Sequence, residues 1–362
     1  MDCALFARKD RDRMGWADRL VGAMNLDFEK SMTTLYLHIG THRTATSSIQ
    51  AFMLSNWEAL LTRGVFHPQR IARHFALFNA VFAGRRTVKD VSLDLLQRAS
   101  KHPFEIEKIV LSDEDVCMRT DISLLGEFRN HFDVKVVFAL RRQDLWLESW
   151  YLQNIKWQWN KSLSHCTLPE FLARSEEFHW AYYDRLLSHL DEVFGQENVL
   201  PYVFEKAQMP DGPVAAFCDR IGLGDLSDLK PAPHVNSSYS PAIAEFVRCL
   251  PFDEAPDKYR ARLENAVKAV DQTLAPAEGD HSSLLLDYDT RMRIMEAHAE
   301  GNAAVARRYF GRDQLFLEQM PSPVEPLAQM VLPTDSTVLM RDYVAPMIQS
   351  LIKQYLDSPT KA

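Results

Sequence analysis

Short apolar runs alternate with helix-periodic segments over the first two thirds of the chain. Residues 33–39, 108–112, 134–140 and 198–204 are runs of mostly apolar side chains, each of a length typical of a strand. Continuous apolar runs are typical of parallel strands whose two faces are both covered by helices. The pattern therefore predicts a parallel sheet that contains at least these four strands.

Helical periodicity fills the segments between the strands. The segment 44–62 places its apolar residues on one helical face and is followed by Gly64, a residue that commonly ends a helix. Further helices are predicted at 181–194 and 213–221, and another begins at Ser240-Pro241. Strands that alternate with helices predict an α/β fold with three layers, α/β/α, around the parallel sheet.

The C-terminal portion is helix-rich. From about residue 240 onward almost every segment has helical periodicity, and a Pro-rich connector at 321–333 leads to a last amphipathic helix at 338–356. We therefore expect an α/β domain at 32–320, followed by the connector and helix at 321–362.

Residues 1–31 have weak periodicity, and we expect a loosely ordered extension there. The alternative for this stretch is a docking helix around Trp16–Met24.

Composition narrows the class of protein. With 362 residues, 46% hydrophobic and 25% charged, the chain is an ordinary globular protein. Its net charge of −8 argues against a general nucleic-acid or anionic-membrane binder, although a small basic pocket for a phosphorylated ligand is compatible with it. The five cysteines are scattered, as expected of reduced thiols in a cytoplasmic protein. No apolar run approaches the roughly 20 residues of a membrane span, and we find no signal-peptide core.

The link between the first strand and the first helix, residues 38–50, reads HIGTHRTATSSIQ. This is the position where α/β proteins bind phosphate, because backbone N–H groups at a helix start lack internal partners. The side chains offered there belong to one cation and four hydroxyl residues: Arg43, Thr44, Thr46, Ser47 and Ser48. We therefore expect this loop to hold a di-anionic group, and the alternative is an ordinary polar helix terminus.

The loop differs from the triphosphate-binding loop of kinases. In a Walker A loop, GxxxxGK[ST], the Lys stands six positions after the first Gly. Counted from Gly40, that position is Thr46, whereas the cation Arg43 stands at the third position. A standard P-loop kinase is therefore disfavoured.

A cation at the third position, followed by small and hydroxyl residues, resembles the sulfotransferase superfamily. The loop is most similar to bacterial sulfotransferases in which this segment reads roughly HIGxxKTGTTSIQ. The resemblance implies a P-loop-NTPase-like fold and a loop that holds the 5′-phosphosulfate of PAPS (3′-phosphoadenosine 5′-phosphosulfate). The residues that it assigns to the nucleotide are Gly40, Thr41, His42, Arg43, Thr44, Ala45, Thr46, Ser47 and Ser48.

Three residues depart from the family pattern: Arg43 replaces Lys, Ala45 replaces Gly and Ser47 replaces Thr. In the family the Lys neutralises the leaving phosphate, so Arg43 is the candidate catalytic cation. Arg keeps the charge and can bridge two oxygens, but with a pKa above about 12 it does not readily donate a proton. Ala45 fits the loop only if its backbone does not need a positive φ.

A second motif follows the strand predicted at 134–140. Arg141 stands at the strand end, and Ser149 follows eight residues later, two helical turns along. Sulfotransferases place an Arg and a Ser at this separation on the 3′-phosphate, and a doubly charged phosphate suits a guanidinium fork with a hydroxyl. The resemblance therefore assigns Arg141 and Ser149 to the group that distinguishes PAPS from ATP. The alternative is that the arginines at this strand end form surface ion pairs.

A candidate base follows the strand at 108–112. Transfer to a hydroxyl or amine needs removal of the acceptor's proton, to which a base contributes about 10²–10⁴-fold. The bacterial relatives have a Ser-rich turn with Glu at this point, so Glu114 is the first choice and Asp113 the second. The alternative is a solvated acidic turn. The Trp-rich stretch at 146–180 either packs against the sheet or contacts an acceptor, in which case the contacting residues are expected to be Lys156, Trp157, Gln158 and Trp159.

Together these patterns predict a PAPS-dependent sulfotransferase that releases adenosine 3′,5′-bisphosphate and requires no metal. The resemblance favours a small-molecule or saccharide acceptor, and the oligomeric state is left open. Two other functions stay open. One is a nucleotide-dependent kinase with a degenerate loop, in which Asp113 or Asp115 would hold Mg²⁺, and the other is a nucleotide-binding pseudoenzyme, suggested by Arg43 and Ala45.

Overall fold

The computed structural model describes residues 32–233, 239–274 and 284–357. The extension expected at 1–31, with its alternative as a docking helix, lies outside the described residues. Within them, five strands form one sheet in which every neighbouring pair is parallel. The strands are β1 (Thr34–His38), β2 (Val65–Phe66), β3 (Lys108–Ser112), β4 (Asp133–Leu140) and β5 (Val199–Val203).

The strand order β2-β3-β1-β4-β5 puts β1 at the centre of the sheet. At its last residue, His38 is in register with Ser112 of β3 and with Val137 of β4. The loop that follows β1 therefore emerges between the carboxyl ends of β3 and β4, at the point where α/β sheets bind ligands.

Helices cover both faces of the sheet. Leu35 and Leu37 of β1 point into one apolar cluster and Tyr36 points into another on the opposite face, as the alternation of strand side chains requires. The helices are α1 (Thr46–Ser55), α2 (Trp57–Thr62), α3 (Phe75–Phe82), α4 (Val88–Ala99), α5 (Gln143–Trp157), α6 (Lys161–Ser164), α7 (Leu168–Leu172), α8 (Tyr183–Phe194), α9 (Gly212–Arg220), α10 (Pro241–Arg248), α11 (Asp257–Leu274), α12 (Tyr288–Ala297), α13 (Ala299–Phe310), α14 (Ser336–Leu339) and α15 (Ala345–Leu356).

The predicted three-layer α/β/α fold is confirmed. One layer holds α1, α2 and α9, whose Ile49, Leu60 and Phe217 are buried with Tyr36. The other face is covered chiefly by α4, α5 and α8, with Leu95 and Trp146 in the larger cluster. Four helices from α10 to α13 make the described part after residue 239 helix-rich, as predicted.

Two predicted helices differ in detail. The segment 44–62 forms two helices, which are separated at Asn56. The side-chain Nδ2 of Asn56 donates to the Lys230 carbonyl, and its side-chain Oδ1 accepts from the Lys230 N–H. At the C-terminus, the segment Met340–Val344 between α14 and α15 is π-helical. Pro346 lies shortly after this π-helical segment, in the first turn of α15.

Among the helices of the described ranges, none combines the length and the apolarity that crossing a membrane demands.

Candidate active site

The loop between β1 and α1 is tightly packed against its neighbours. The Thr44 hydroxyl donates to the carbonyl of Thr41 at 2.6 Å, and the Thr41 hydroxyl donates to Ala139 of β4 at 3.3 Å. Both threonines are fully buried. Their hydroxyls therefore brace the loop, while its backbone and the exposed Ser47 lie at the start of α1.

Gly40 and Ala45 have positive φ angles of 122° and 61°. At Gly40, a Cβ would lie 3.2 Å from Cys117 Sγ, so the loop approaches the turn after β3 closely. At Ala45 the left-handed conformation costs about 1–2 kcal/mol for a residue with a side chain. The condition stated from the sequence, that Ala45 should not need a positive φ, is therefore not met, and the loop forms in spite of that cost.

The two predicted phosphate motifs meet at the carboxyl edge of the sheet. Arg141 follows β4 directly, and its Nη1 donates to the carbonyl oxygen of Arg43 at 2.5 Å. Arg43 in turn donates from Nε to Ser149 Oγ at 2.6 Å and from Nη1 to Gln153 Oε1 at 2.8 Å. Residues separated by about 100 positions thus form one polar cluster, which we call the cationic half of the edge (Arg43, Arg141 and Ser149).

Tyr183 fixes the backbone of Arg141. Its hydroxyl accepts from the Arg141 N–H at 3.1 Å and donates to the Arg141 carbonyl at 2.5 Å. The Tyr183 side chain is buried beneath β4, where its ring packs edge-on against Phe138. This clamp sets the direction in which the guanidinium leaves the strand end.

Electrostatics in the cationic half favour a bound anion. Burial, reinforced by the charge of Arg43, lowers the pKa of Arg141 to about 10, and burial also lowers the pKa of Arg43. Within the part of the chain that the structure describes, Arg141 forms no ion pair with a carboxylate, and its guanidinium lies over the Phe204 ring. Two desolvated cations side by side gain stability when a di-anion lies between them.

The ion pairs considered as the alternative involve the neighbouring arginine. Arg142 binds Asp144 through two hydrogen bonds of 2.7 and 3.1 Å, and both side chains are buried. Arg291 of α12 bridges Asp144 and Glu148. The carboxylates of α5 are thus held by Arg142 and Arg291, and this network joins α5 to the C-terminal helices.

The turn after β3 gathers three carboxylates around one guanidinium. We call Asp113, Glu114 and Asp115 the acidic turn. Arg73, from the segment between β2 and α3, donates from Nε to Asp113 Oδ1 at 2.5 Å, lies 3.5 Å from Glu114 Oε2 and pairs with Asp115. Burial disfavours the charged guanidinium, but these carboxylates outweigh burial and raise the pKa of Arg73. Arg73 therefore offsets part of the negative charge of the acidic turn, in which Asp113 and Glu114 are both buried.

The two candidate bases have different surroundings. Burial raises the pKa of Asp113 to about 6, against the opposing effect of Arg73. Glu114 accepts a hydrogen bond of 2.7 Å from Gln50 of α1, which orients its carboxylate toward the loop side of the sheet edge. Gln50 also reaches Ser112 Oγ at 3.2 Å, so one amide links β3, the acidic turn and α1.

Two histidines near the loop have different contacts. His42 Nε2 lies 3.0 Å from Asp115 Oδ1, and its ring packs on Trp150 with the centroids 4.8 Å apart. His38 lies inside β1, and its Nδ1 is 2.8 Å from Ser112 Oγ. Burial lowers the pKa of His38 to about 3, so this imidazole is neutral and braces the strand end.

The Trp-rich stretch has two parts. Trp146, Trp150 and Trp180 pack together in the core behind the loop. Trp157 and the exposed Trp159 stack at the end of α5, 5.5 Å apart and 15° from parallel.

Lys156 Nζ lies over Trp157 at 5.3 Å from its ring centroid. On α5, Ser149, Gln153 and Lys156 stand at successive spacings of four and three residues and so share one face. Lys156 therefore lies on the face of α5 that contacts Arg43.

Sequence reasoning missed three residues that shape this edge. Arg73 belongs to no motif, and Tyr183 and Gln153 look like ordinary helix residues. A spacing argument could have found Gln153, since it stands one turn beyond Ser149. A cavity of about 460 Å³ between α5, α7 and α12, lined by Leu147, Leu172 and Ile294 among others, contains none of the predicted site residues.

Comparison with known proteins finds remote similarity. The chain is 23% identical over 216 residues to an uncharacterized protein of Archaeoglobus fulgidus, a match that covers 58% of this chain and 55% of the relative. The match thus spans about half the length of that curated relative. Among solved structures, a sulfotransferase from Alicyclobacillus acidocaldarius aligns with a TM-score of 0.37 and 15% identity, over 56% of this chain and 85% of that chain. No family model matches the chain.

Proposed function

We propose that this protein transfers a sulfuryl group from PAPS to a hydroxyl or amine of a small-molecule or saccharide acceptor. The observation that carries the proposal is the meeting of the two phosphate motifs: Arg141 donates to the Arg43 carbonyl at 2.5 Å, and Arg43 donates to Ser149 at 2.6 Å. A continuous cationic surface between a helix start and a strand end suits a nucleotide that carries phosphate at both its 5′ and 3′ positions.

In this proposal the donor is held at two points. The N-terminus of α1 and the Arg43 guanidinium bind the 5′-phosphosulfate, while Arg141 and Ser149 bind the 3′-phosphate. Because Arg43 Nε is hydrogen-bonded to Ser149, donor binding exchanges that contact for one between Arg43 and the phosphosulfate. Gln153, the second partner of Arg43, lies one turn further along α5 and can hold the guanidinium when the contact with Ser149 is exchanged.

The reaction needs charge stabilisation and proton removal. The acceptor oxygen or nitrogen attacks sulfur in line, its new bond to sulfur forms, and the bond between sulfur and the bridging oxygen breaks. The negative charge that develops on the departing 5′-phosphate is stabilised by Arg43 and by the N-terminus of α1. The acceptor's proton passes to Glu114, which Gln50 orients at the adjoining strand end.

A binding experiment tests the nucleotide class. A ligand at 100 times its Kd stabilises the folded state by about 2.7 kcal/mol. Adenosine 3′,5′-bisphosphate should raise the melting temperature without Mg²⁺, and ATP should not. Stabilisation by Mg·ATP alone would contradict the proposal and favour a kinase.

A transfer assay then tests activity. Sulfur-35-labelled PAPS incubated with a pool of hydroxyl and amine acceptors should yield labelled products. Binding without transfer, with transfer gained in Arg43→Lys, would instead identify a pseudoenzyme, because Lys restores the proton-donating cation of the family pattern.

A further inference from the structure

The acidic turn presses against the loop that we propose for the donor. Asp115 Oδ1 lies 3.0 Å from His42 Nε2 in that loop, and Glu114 Oε2 lies 2.7 Å from Gln50 Nε2 in α1. Three carboxylates thus stand next to a site for a ligand that itself carries several negative charges. Without a countercharge, carboxylates beside the loop would weaken the binding of an anion there.

Arg73 is the cation that offsets part of the charge of these carboxylates. Its guanidinium contacts all three side chains, two of them as close ion pairs. It is about one-fifth exposed and approaches from the side of α3, where it lies 5.4 Å from the Phe75 ring centroid. Asp115 connects Arg73 to the loop, because its Oδ1 contacts His42 while its Oδ2 pairs with Arg73.

We propose that Arg73 is a positioning residue that favours donor binding by offsetting part of the negative charge of the acidic turn beside the loop. Through its charge it weakens the repulsion between the acidic turn and the phosphate groups of the nucleotide. By holding Asp113 and Asp115 in ion pairs, it leaves Glu114, with its longer 3.5 Å contact, as the carboxylate that accepts the acceptor's proton. This inference rests on the proposed function.

The charge effect can be separated from a packing effect by the choice of ligand and variant. We expect Arg73→Met to weaken adenosine 3′,5′-bisphosphate about tenfold in titration calorimetry, with a smaller loss at high salt. Uncharged adenosine, which shares the base and ribose, should bind equally to both proteins. Arg73→Lys, which keeps the charge, should keep the bisphosphate affinity within about threefold.

A compensating substitution gives the sharpest readout. In the Arg73→Met background, Asp115→Asn removes one carboxylate without changing side-chain size and should recover most of the lost affinity. Asp115→Asn alone should bind the bisphosphate about threefold more tightly than the wild type. The matched control is Arg98→Met, which breaks an ion pair with Asp94 on α4, remote from the site, and should leave both affinities unchanged.

Each outcome decides the inference. Loss of bisphosphate affinity in Arg73→Met with recovery by Asp115→Asn and constant adenosine binding supports it. Equal loss of both ligands, or no recovery, overturns it in favour of a packing role. If Arg73→Met does not fold, the Asp115→Asn single variant decides, since unchanged or weaker binding contradicts the charge account.

Failure of the proposed function is recognised separately, because the wild type would then not bind the bisphosphate. Inorganic pyrophosphate becomes the probe of the loop in that case. Weaker pyrophosphate binding in Arg73→Met than in the wild type would support an electrostatic effect of Arg73 on anion binding at the loop. Equal binding in the two proteins would contradict it.

Discussion

The carboxyl edge of the sheet has two halves with opposite electrostatics. In the cationic half, Arg43 and Arg141 lie side by side and burial lowers both of their pKa values, so the half gains from an added anion. In the acidic turn, three carboxylates share Arg73, whose pKa they raise, so part of the negative charge is already offset. Among the described residues, the two sides of β1 therefore differ in the sign of the charge that dominates: two arginines on one side and three carboxylates around one arginine on the other. The other side keeps carboxylates available for proton removal.

The largest expected effect is on turnover, in the acidic turn. Glu114→Gln keeps the side-chain shape and should lower kcat for sulfuryl transfer by about 10²–10⁴-fold, because the base is lost. Affinity for adenosine 3′,5′-bisphosphate should stay within a few-fold. Asp113→Asn is the matched control, since Asp113 is tied to Arg73 and should affect turnover less. Unchanged kcat in Glu114→Gln would remove Glu114 as the base.

The next effect is on donor binding, in the cationic half. Arg141→Ala should weaken adenosine 3′,5′-bisphosphate on the order of 10²-fold, because truncating a buried charged hydrogen-bonding group costs about 2–5 kcal/mol of binding free energy. Adenosine 5′-phosphosulfate, which lacks the 3′-phosphate, should be nearly unaffected. Calorimetry of both ligands checks this, and equal losses would show that the assignment of Arg141 to the 3′-phosphate is wrong.

A third effect concerns stability beneath the acidic turn, where His38 and His74 are buried. Burial lowers the pKa of each to about 3, below the ordinary value of 6.5. Between pH 3 and pH 6.5 the unfolded chain binds more protons at these histidines than the folded protein does. The free energy of unfolding therefore falls as the pH drops below about 6.5. We expect a loss of about 1–2 kcal/mol per histidine between pH 7 and pH 5.

Protonation of Asp113 changes the free energy of unfolding in the opposite direction over part of that pH range. Because its pKa is raised to about 6, it contributes stability as the pH falls from 6 toward 4, which offsets a fraction of the histidine effect. Urea unfolding at pH 5 and pH 7 measures the sum. His74→Gln should flatten the pH dependence relative to the wild type, and an unchanged slope would show that His74 is not buried as a neutral group.

The smallest effect tests the loop backbone. Ala45→Gly should increase the free energy of unfolding by about 1 kcal/mol, because glycine adopts the left-handed conformation without the steric cost. Gly311 ends α13 with a φ of 63°, so Gly311→Ala is a matched control with the opposite sign. Destabilisation by Ala45→Gly in chemical unfolding would contradict a positive φ at this position.

The sequence predicted the elements whose residues are buried along most of their length. The predicted strands 108–112 and 134–140 match β3 and β4 to within one residue, because both faces of these strands are covered. By contrast, β2 is only two residues long and leaves no pattern. The break at Asn56 depends on Lys230, 174 positions away, and local periodicity cannot show such a contact.

The candidate site was predictable where it follows from a strand end. The loop at 38–50 and the pair Arg141 and Ser149 are local signals, and parallel topology brings them together. Arg73 and Tyr183 are different, because their roles arise from tertiary contacts with Asp113 and with the Arg141 backbone. No residue type or spacing in their own segments indicates those contacts.

The central claim is that one nucleotide is held at both ends by the cationic half. A crystal structure with adenosine 3′,5′-bisphosphate tests it most directly. We predict the 3′-phosphate on Arg141 and Ser149, and the 5′-phosphate at the start of α1 with Arg43 turned from Ser149 toward it. A structure in which only one phosphate contacts this edge, or in which the nucleotide binds elsewhere, would contradict the account.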